Sequence, residues 1–113
     1  MQDNRISPRY HTMGRAHITG ALEGDVVLKN LSITGCCLEC TSYKDNLKIS
    51  EKYKIDIDPE RASNVDNFEL EVECKWIHKG EYFCEIGFNV VKSPKGKHFQ
   101  NYVDYLVYQN NMA

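Results

Sequence analysis

The sequence predicts a small antiparallel β-barrel that is followed by one C-terminal helix. Three observations predict this all-β class: six short segments of strand-like polarity joined by turn signals, a change to helical periodicity after residue 93, and a length of 113 residues, which suits one compact domain. The prediction places the barrel at 15–91 and the helix at 93–110, so that the whole chain, 1–113, forms one domain.

The N-terminal part leads into the first two strands. Residues 1–14 have no periodic pattern, and we expect them to form an exposed, flexible segment rather than part of the core. Residues 15–22 predict a first strand. The turn signal at 23–25 then connects it, as a hairpin, to a second strand over 26–33.

The second strand ends in the stretch Asn30-Leu31-Ser32-Ile33-Thr34-Gly35. Because alternate side chains of a strand point to opposite faces, Leu31 and Ile33 are expected to face the core. Asn30 and Ser32 are then expected to face solvent, which places an amide and a hydroxyl two residues apart on the outer surface. Gly35 has no side chain to block the approach of a ligand.

Four further strands follow the second. Residues 36–40 predict the third, and alternating Tyr53, Ile55 and Ile57 predict the fourth, which Pro59 ends. Polar loops are expected at 41–51 and 60–67. The clearest alternation belongs to the fifth strand, whose core-facing positions are Phe68, Leu70, Val72, Cys74 and Trp76.

A turn at His78–Glu81 leads to the sixth strand, over 82–90, and then to the helix. Gly87 is expected on the outer face of the sixth strand, where a missing side chain lets another group come close. Ser93 is a candidate N-cap, with Pro94 at the first helical position. The apolar stripe of the helix consists of Phe99, Tyr102, Val103, Leu106 and Val107.

Composition and charge exclude several functional classes. The net charge of −2 gives no reason to expect a nucleic-acid polymer as the partner. No apolar run approaches the roughly 18 residues that a membrane span needs. The polar start, Met1-Gln2-Asp3-Asn4-Arg5, is not a signal peptide. We therefore expect a cytoplasmic protein that does not insert into membranes.

Positive charge is concentrated near the N-terminus. Arg5 and Arg9 lie four residues apart in a segment that Pro8 should keep extended. Four extended residues reach roughly 13 Å, so the two guanidinium groups can contact separate parts of one anionic ligand. A small, doubly anionic ligand fits this local charge better than a long polyanion does.

The order Arg-x-x-x-Arg followed by Asn-x-Ser-x-x-Gly resembles the signature of the PilZ family, whose domains bind cyclic di-GMP. The order of strands and helix is similar to that family's fold over residues 4–107, including the hairpin from Trp76 to Gly87-Phe88. The resemblance implies a six-stranded barrel of PilZ type. It also implies that residues 1–14 bind the ligand and transmit the signal by becoming ordered.

The resemblance implies roles for individual residues. Arg5 and Arg9 would bind the phosphates and guanines, Asn30 and Ser32 would hydrogen-bond a guanine edge, and Gly35 would admit the ligand to the backbone. Gly87 is a further candidate, with a structural role as its other interpretation. Asn4 stands where many members have another arginine, which favours one bound ligand molecule over a stacked pair.

The function that the resemblance implies is that of a monomeric receptor and adaptor without a cofactor, acting on an unidentified downstream protein in motility, adhesion or virulence. Two alternatives remain open from the residues. One is a PilZ-like adaptor that binds a protein and no nucleotide. The other is a nucleic-acid-binding barrel similar to an OB-fold, which the outward glutamates of the fifth strand oppose.

Metal and enzyme chemistry have little support in the sequence. Cys37 and Cys40 form a C-x-x-C, but no second ligand pair follows at comparable spacing, so core packing is the expected role of the five cysteines. Ser32 does not stand in a G-x-S-x-G frame, and no Gly-rich phosphate loop is present. We therefore expect no metal site and no enzymatic activity.

Overall fold

The computed structural model describes residues 9–18, 26–41, 47–93 and 96–111. These residues form seven strands, a 3-10 helix at Arg61–Ser63 and one α-helix. The strands are β1 (Tyr10–His11), β2 (Arg15–Ile18), β3 (Val26–Leu31), β4 (Gly35–Cys40), β5 (Lys52–Asp58), β6 (Phe68–Lys79) and β7 (Cys84–Lys92), and the helix is α1 (Gly96–Asn111).

Six of the strands close into an antiparallel barrel. Their order is β3-β2-β5-β6-β7-β4, and β4 pairs back with β3. This confirms the predicted six-stranded antiparallel barrel with a C-terminal helix. The turn that was predicted at 23–25 lies outside the described residues, but the antiparallel pairing of β2 with β3 is present.

The seventh strand, β1, lies within the segment that was predicted to be exposed and flexible. Tyr10 lies opposite Leu31 and His11 lies opposite Asn30, so β1 pairs with the same edge of β3 as β2 does. Thr12 and Gly14 are buried. The expectation of an exposed lead-in is therefore wrong for Thr12 and Gly14, which backbone pairing and helix contacts hold, whereas His11 and Met13 are exposed as expected.

The interior follows the predicted alternation in most strands. Ile55 and Ile57 of β5, and Ile86 and Phe88 of β7, are fully buried. In β6, the residues from Phe68 to Cys74 that were predicted to face the core are at most 2% exposed. These side chains form one continuous core, and their burial is the main source of the barrel's stability.

The register shifts at three points in the described strand pairs. One shift lies between Leu28 and Asn30 in β3, and the other two lie in the pairing of β6 with β7, at residues 71–72 and between Cys74 and Trp76. The first and the last of these are β-bulges that add a residue to β3 and to β6. An extra residue reverses the face of every later side chain. Trp76, which was predicted to lie in the core, is accordingly 39% exposed on the outer wall. That prediction was wrong.

Helix α1 packs its apolar stripe against the barrel. Phe99, Tyr102, Val103 and Leu106 are buried, as predicted, and the rings of Phe99 and Tyr102 lie 5.8 and 6.0 Å from that of Phe68. The helix also contacts β1. Pro94, predicted as the first helical residue, lies outside the described residues. In the described ranges, α1 is too polar and too short to span a bilayer, and no other helix there qualifies.

Candidate functional site

The connection between β3 and β4 is a tight turn that is built around Ser32. The Ser32 backbone N–H donates to the Gly35 carbonyl over 2.8 Å. The Ser32 hydroxyl oxygen accepts from the backbone N–H groups of Thr34 and Gly35, each over 3.2 Å. These bonds provide partners for the backbone hydrogen-bonding groups of the turn between the two strands.

Ser32 does not face solvent as predicted. Its side chain is 1% exposed, whereas Ile33, which was predicted to face the core, is 49% exposed. The physical reason is that β3 ends at Leu31, so the two-residue period no longer applies to residue 32. The role of Ser32 that the structure supports is to hold the turn that presents Gly35.

Arg9 lies against this turn. Its Nη1 donates to Asn30 Oδ1 over 3.4 Å. A Cβ atom built on Gly35 would lie only 2.8 Å from Arg9 Nη2 and 2.7 Å from the carbonyl oxygen of Phe88. Because no side chain fits there, glycine is the residue that lets the guanidinium approach the backbone. The structure therefore brings together Arg9, Asn30 and Gly35. Arg5 lies outside the described residues.

The bulge in β3 adds a cation that the sequence did not predict. Lys29 is the extra residue of the bulge, and its Nζ lies 3.0 Å from Glu85 Oε1 on β7. The hydrogen bond to Glu85 raises the pKa of Lys29. Two cations and one anion, Arg9, Lys29 and Glu85, thus lie around this part of the wall. No local sequence signal marks the bulge, so Lys29 was missed.

A row of facing residues connects this cationic region to an aromatic side chain. Asn30 lies opposite Cys37, Cys37 opposite Gly87, and Gly87 opposite Trp76. A Cβ atom built on Gly87 would lie 2.1 Å from Trp76 Cε2, so the indole lies directly on the glycine. The group that Gly87 admits is therefore Trp76 of this chain, which supports the structural interpretation of that glycine.

The two cysteines of the C-x-x-C do not converge. Residues three apart in a strand point to opposite faces, and Cys40 packs in the core while Cys37 points to the other face, where its side chain is buried. The Sγ atom of Cys37 lies 3.7 Å from Glu85 Oε2. All five cysteines are thiols. Across the described ranges, no group of three or more His, Cys, Asp or Glu side chains is arranged to hold a metal.

The thiols of Cys36 and Cys37 are expected to react slowly in the folded protein. Burial raises the pKa of Cys36 to about 12, and burial together with the Glu85 charge raises the pKa of Cys37 to about 11. Only the thiolate is nucleophilic, and a raised pKa keeps both groups protonated at pH 8. Alkylation by iodoacetamide, followed by peptide mass spectrometry, should be at least about tenfold slower at both sites than in urea-unfolded protein.

The urea-unfolded sample is the control, because all five thiols are then exposed to the same reagent. Labelling of native Cys37 at the rate of the unfolded chain would contradict the burial of its thiol.

Comparison with known proteins establishes the fold. No protein-family model and no curated protein sequence matches the chain. Among solved structures, the chain is similar to the Bacillus subtilis inhibitor of motility MotI/DgrA, with a TM-score of 0.73 and 17% sequence identity. The match covers 96% of this chain and 52% of that one, so the chain spans about half the length of the motility inhibitor. The barrel, its helix and this similarity together show a PilZ-like fold.

Proposed function

We propose that this domain is a receptor for the second messenger cyclic di-GMP, which lies along the outer wall between Arg9 and Trp76. The observation that carries the proposal is the contact of Arg9 with both Asn30 and Gly35. Arg9 and Asn30 are 21 residues apart in sequence and belong to the two separate motifs. Their contact supports a single site made from both motifs.

The chemistry of these groups suits the two kinds of surface that the ligand offers. The planar guanidinium of Arg9 can bind phosphate oxygens, or the O6 and N7 atoms of guanine, in a bidentate way. The amide of Asn30 can donate to and accept from a guanine edge. Arg5, four residues before Arg9, is proposed as the second guanidinium contact. Ser32 contributes by holding the turn.

The aromatic end of the row suits a base. Trp76 lies on Gly87 and is 39% exposed, so part of its apolar ring meets solvent. Stacking of a base on an aromatic side chain contributes about 1–3 kcal/mol. Gly87 thus acts on the ligand through the position of the indole. Neighbouring strands lie about 4.8 Å apart, so a ligand that reaches from Asn30 to Gly87 bridges about 10 Å.

Magnitudes make micromolar binding reasonable. A hydrogen bond to a charged group contributes about 1.5–3 kcal/mol net. Four or five such contacts, less the cost of fixing the ligand and the N-terminal residues, leave about 8 kcal/mol, which corresponds to a micromolar Kd. The expectation that binding orders the N-terminal segment, and that one ligand molecule is bound, stays a prediction.

The proposed output is control of motility by contact with another protein, without catalysis. Its support is the shared fold with a protein that is named as an inhibitor of motility. Adhesion and virulence are further outputs that the sequence resemblance implies.

A second candidate function is that of an adaptor that binds a protein and no nucleotide. The observation that favours it is the pairing within the wall, where Lys29 is bonded to Glu85 and Arg9 to Asn30. Cations that already have partners inside the protein gain less from an incoming phosphate. The two candidates differ in one measurable property, which is nucleotide binding.

Titration of the purified protein distinguishes them. Trp76 is the only tryptophan in the chain, so its fluorescence reports on the aromatic end of the row. We expect cyclic di-GMP to quench or shift the emission with a micromolar Kd, and calorimetry to give the same value. The linear guanosine dinucleotide and single-stranded DNA are the controls and should bind at least about tenfold more weakly. Absence of heat and of an emission change with cyclic di-GMP would favour the adaptor.

A further inference from the structure

The segment that follows Arg9 is bonded to the C-terminal helix. We call residues 9–14 the arginine segment. Thr12 lies buried in it, where its hydroxyl donates to the Leu28 carbonyl and accepts from the Gly14 backbone N–H over 3.2 Å. The Thr12 N–H donates to the Lys29 carbonyl over 3.3 Å, and the Gly14 carbonyl accepts from Leu28 N–H over 3.2 Å. The segment is therefore fixed along β3 on one side.

Glu60 fixes the other side of the arginine segment. One carboxylate oxygen, Oε2, accepts from the Met13 backbone N–H over 3.4 Å. The other, Oε1, accepts from the Tyr102 hydroxyl of α1 over 2.5 Å. Burial of Tyr102 and its hydrogen bond to Glu60 raise the pKa of the hydroxyl, so it stays protonated and donates. One carboxylate thus joins the arginine segment to the helix.

Packing supports the same connection. A Cβ atom built on Gly14 would lie 2.7 Å from the Tyr102 hydroxyl and 3.1 Å from the Asp58 carbonyl. The segment therefore passes between the end of β5 and the helix with no room for a side chain at residue 14. Pro59, buried at the end of β5, brings Glu60 to this point.

We propose that Glu60 and Tyr102 are positioning residues for the nucleotide site, acting through the arginine segment on Arg9. The inference rests on the proposed function and adds to it the helix as the element that holds the binding arginine. Only two residues separate Arg9 from Thr12, so fixing residues 12–14 restricts where the guanidinium can lie. A group that is already positioned loses less conformational entropy when it binds.

The link also connects the site to the helix in the opposite direction. Any ligand that fixes Arg9 favours the state in which residues 12–14 stay bonded to Glu60 and Tyr102. By thermodynamic reciprocity, the helix that strengthens ligand binding is itself held more firmly when the ligand is bound. The C-terminal helix is therefore an element that occupancy of the wall is expected to stabilise.

Tyr102→Phe tests this, because it removes one hydroxyl and keeps the ring. In the absence of ligand, we expect the amide hydrogens of Thr12 and Leu28 to exchange about tenfold faster, because one charge-assisted hydrogen bond has been lost. Tyr108→Phe is the matched control on the same helix, since Tyr108 is 59% exposed, and it should leave both rates unchanged. Unchanged exchange in Tyr102→Phe would overturn the proposal, whatever the ligand.

Ligand affinity gives the second readout. We expect Tyr102→Phe to weaken cyclic di-GMP binding by about tenfold in the parent and by less than about twofold in the Arg9→Ala background. A general loss of stability would weaken binding equally in both backgrounds, and that result would overturn the positioning role. If the parent protein binds no cyclic di-GMP, the proposed function fails, while the exchange rates still decide the link.

Glu60→Ala covers the case in which Tyr102→Phe does not fold. The methyl group offers no acceptor, so the hydrogen bonds from Tyr102 and from the Met13 N–H are both lost. The same faster exchange at Thr12 is expected. Exchange at the parent rate would contradict the link as directly as the first variant does.

Discussion

Arg9→Ala is expected to weaken cyclic di-GMP binding by about 100-fold while changing the free energy of unfolding by less than about 1 kcal/mol. The substitution removes a guanidinium that lies on Gly35 and bonds to Asn30 over 3.4 Å. A charge-assisted contact contributes about 1.5–3 kcal/mol, and a 100-fold change in Kd is about 2.7 kcal/mol. Calorimetric titration and urea unfolding measure the two quantities.

Two control variants separate shape from charge. Arg15→Ala removes the same charge from β2, where Arg15 lies opposite Asp58 on another part of the barrel, and it should bind as the parent does. Arg9→Lys keeps the charge but loses the planar pair of donors, so an intermediate loss of about tenfold is expected. Parent-like affinity of Arg9→Ala would exclude Arg9 from the site and with it the proposed contact of the two motifs.

The fold was predictable wherever apolar side chains keep a regular period. Ile55 and Ile57, and the run from Phe68 to Cys74, are buried as the two-residue period requires. The helical stripe around Tyr102 is buried as well. In these regions, burial of apolar surface is the dominant favourable contribution to folding. It requires apolar residues at the spacing of the strand or helix, so the sequence pattern shows the element.

The errors at Ser32 and Trp76 have one physical origin. A two-residue period assigns faces correctly only while the strand is regular, and each residue lies just beyond an irregularity. For Trp76 it is the bulge after Cys74, and for Ser32 it is the end of β3 at Leu31. Lys29 was missed for the same reason, since the first bulge places it beside Asn30 on the outer wall.

The position of β1 could not be predicted from local pattern. Tyr10–His11 is a strand of two residues, too short to show any period. The contacts that hold the surrounding segment come from distant parts of the chain. Glu60, for example, accepts a hydrogen bond from Met13, which is 47 residues away in sequence. The sequence did predict that Arg9, Asn30 and Gly35 belong together. A sequence motif indicates which residues lie in one site, but it does not indicate which elements of the fold position them.

Gly87→Ala is expected to lower the free energy of unfolding by about 2–3 kcal/mol, because the added methyl group would overlap its neighbours more closely than at any other described glycine. The new Cβ would lie 2.1 and 2.2 Å from Cε2 and Nε1 of Trp76. The indole is rigid and has no flexible end that could rotate away from the new methyl group. The whole ring must therefore move off the outer wall. The backbone of Gly87 is not in the left-handed region, so the cost is steric and not conformational.

Urea unfolding followed by circular dichroism measures the loss, and the emission maximum of Trp76 should move to longer wavelength as the indole enters solvent. Gly96→Ala is the matched control, because nothing lies within 4 Å of a Cβ built at that helical position, and the change should be neutral or stabilising there. Combining Gly87→Ala with Trp76→Ala should recover most of the loss, since the clash then has no second partner. An emission maximum and unfolding midpoint equal to those of the parent would mean that the indole does not lie on Gly87, and the aromatic end of the proposed site would have to be placed elsewhere on the barrel.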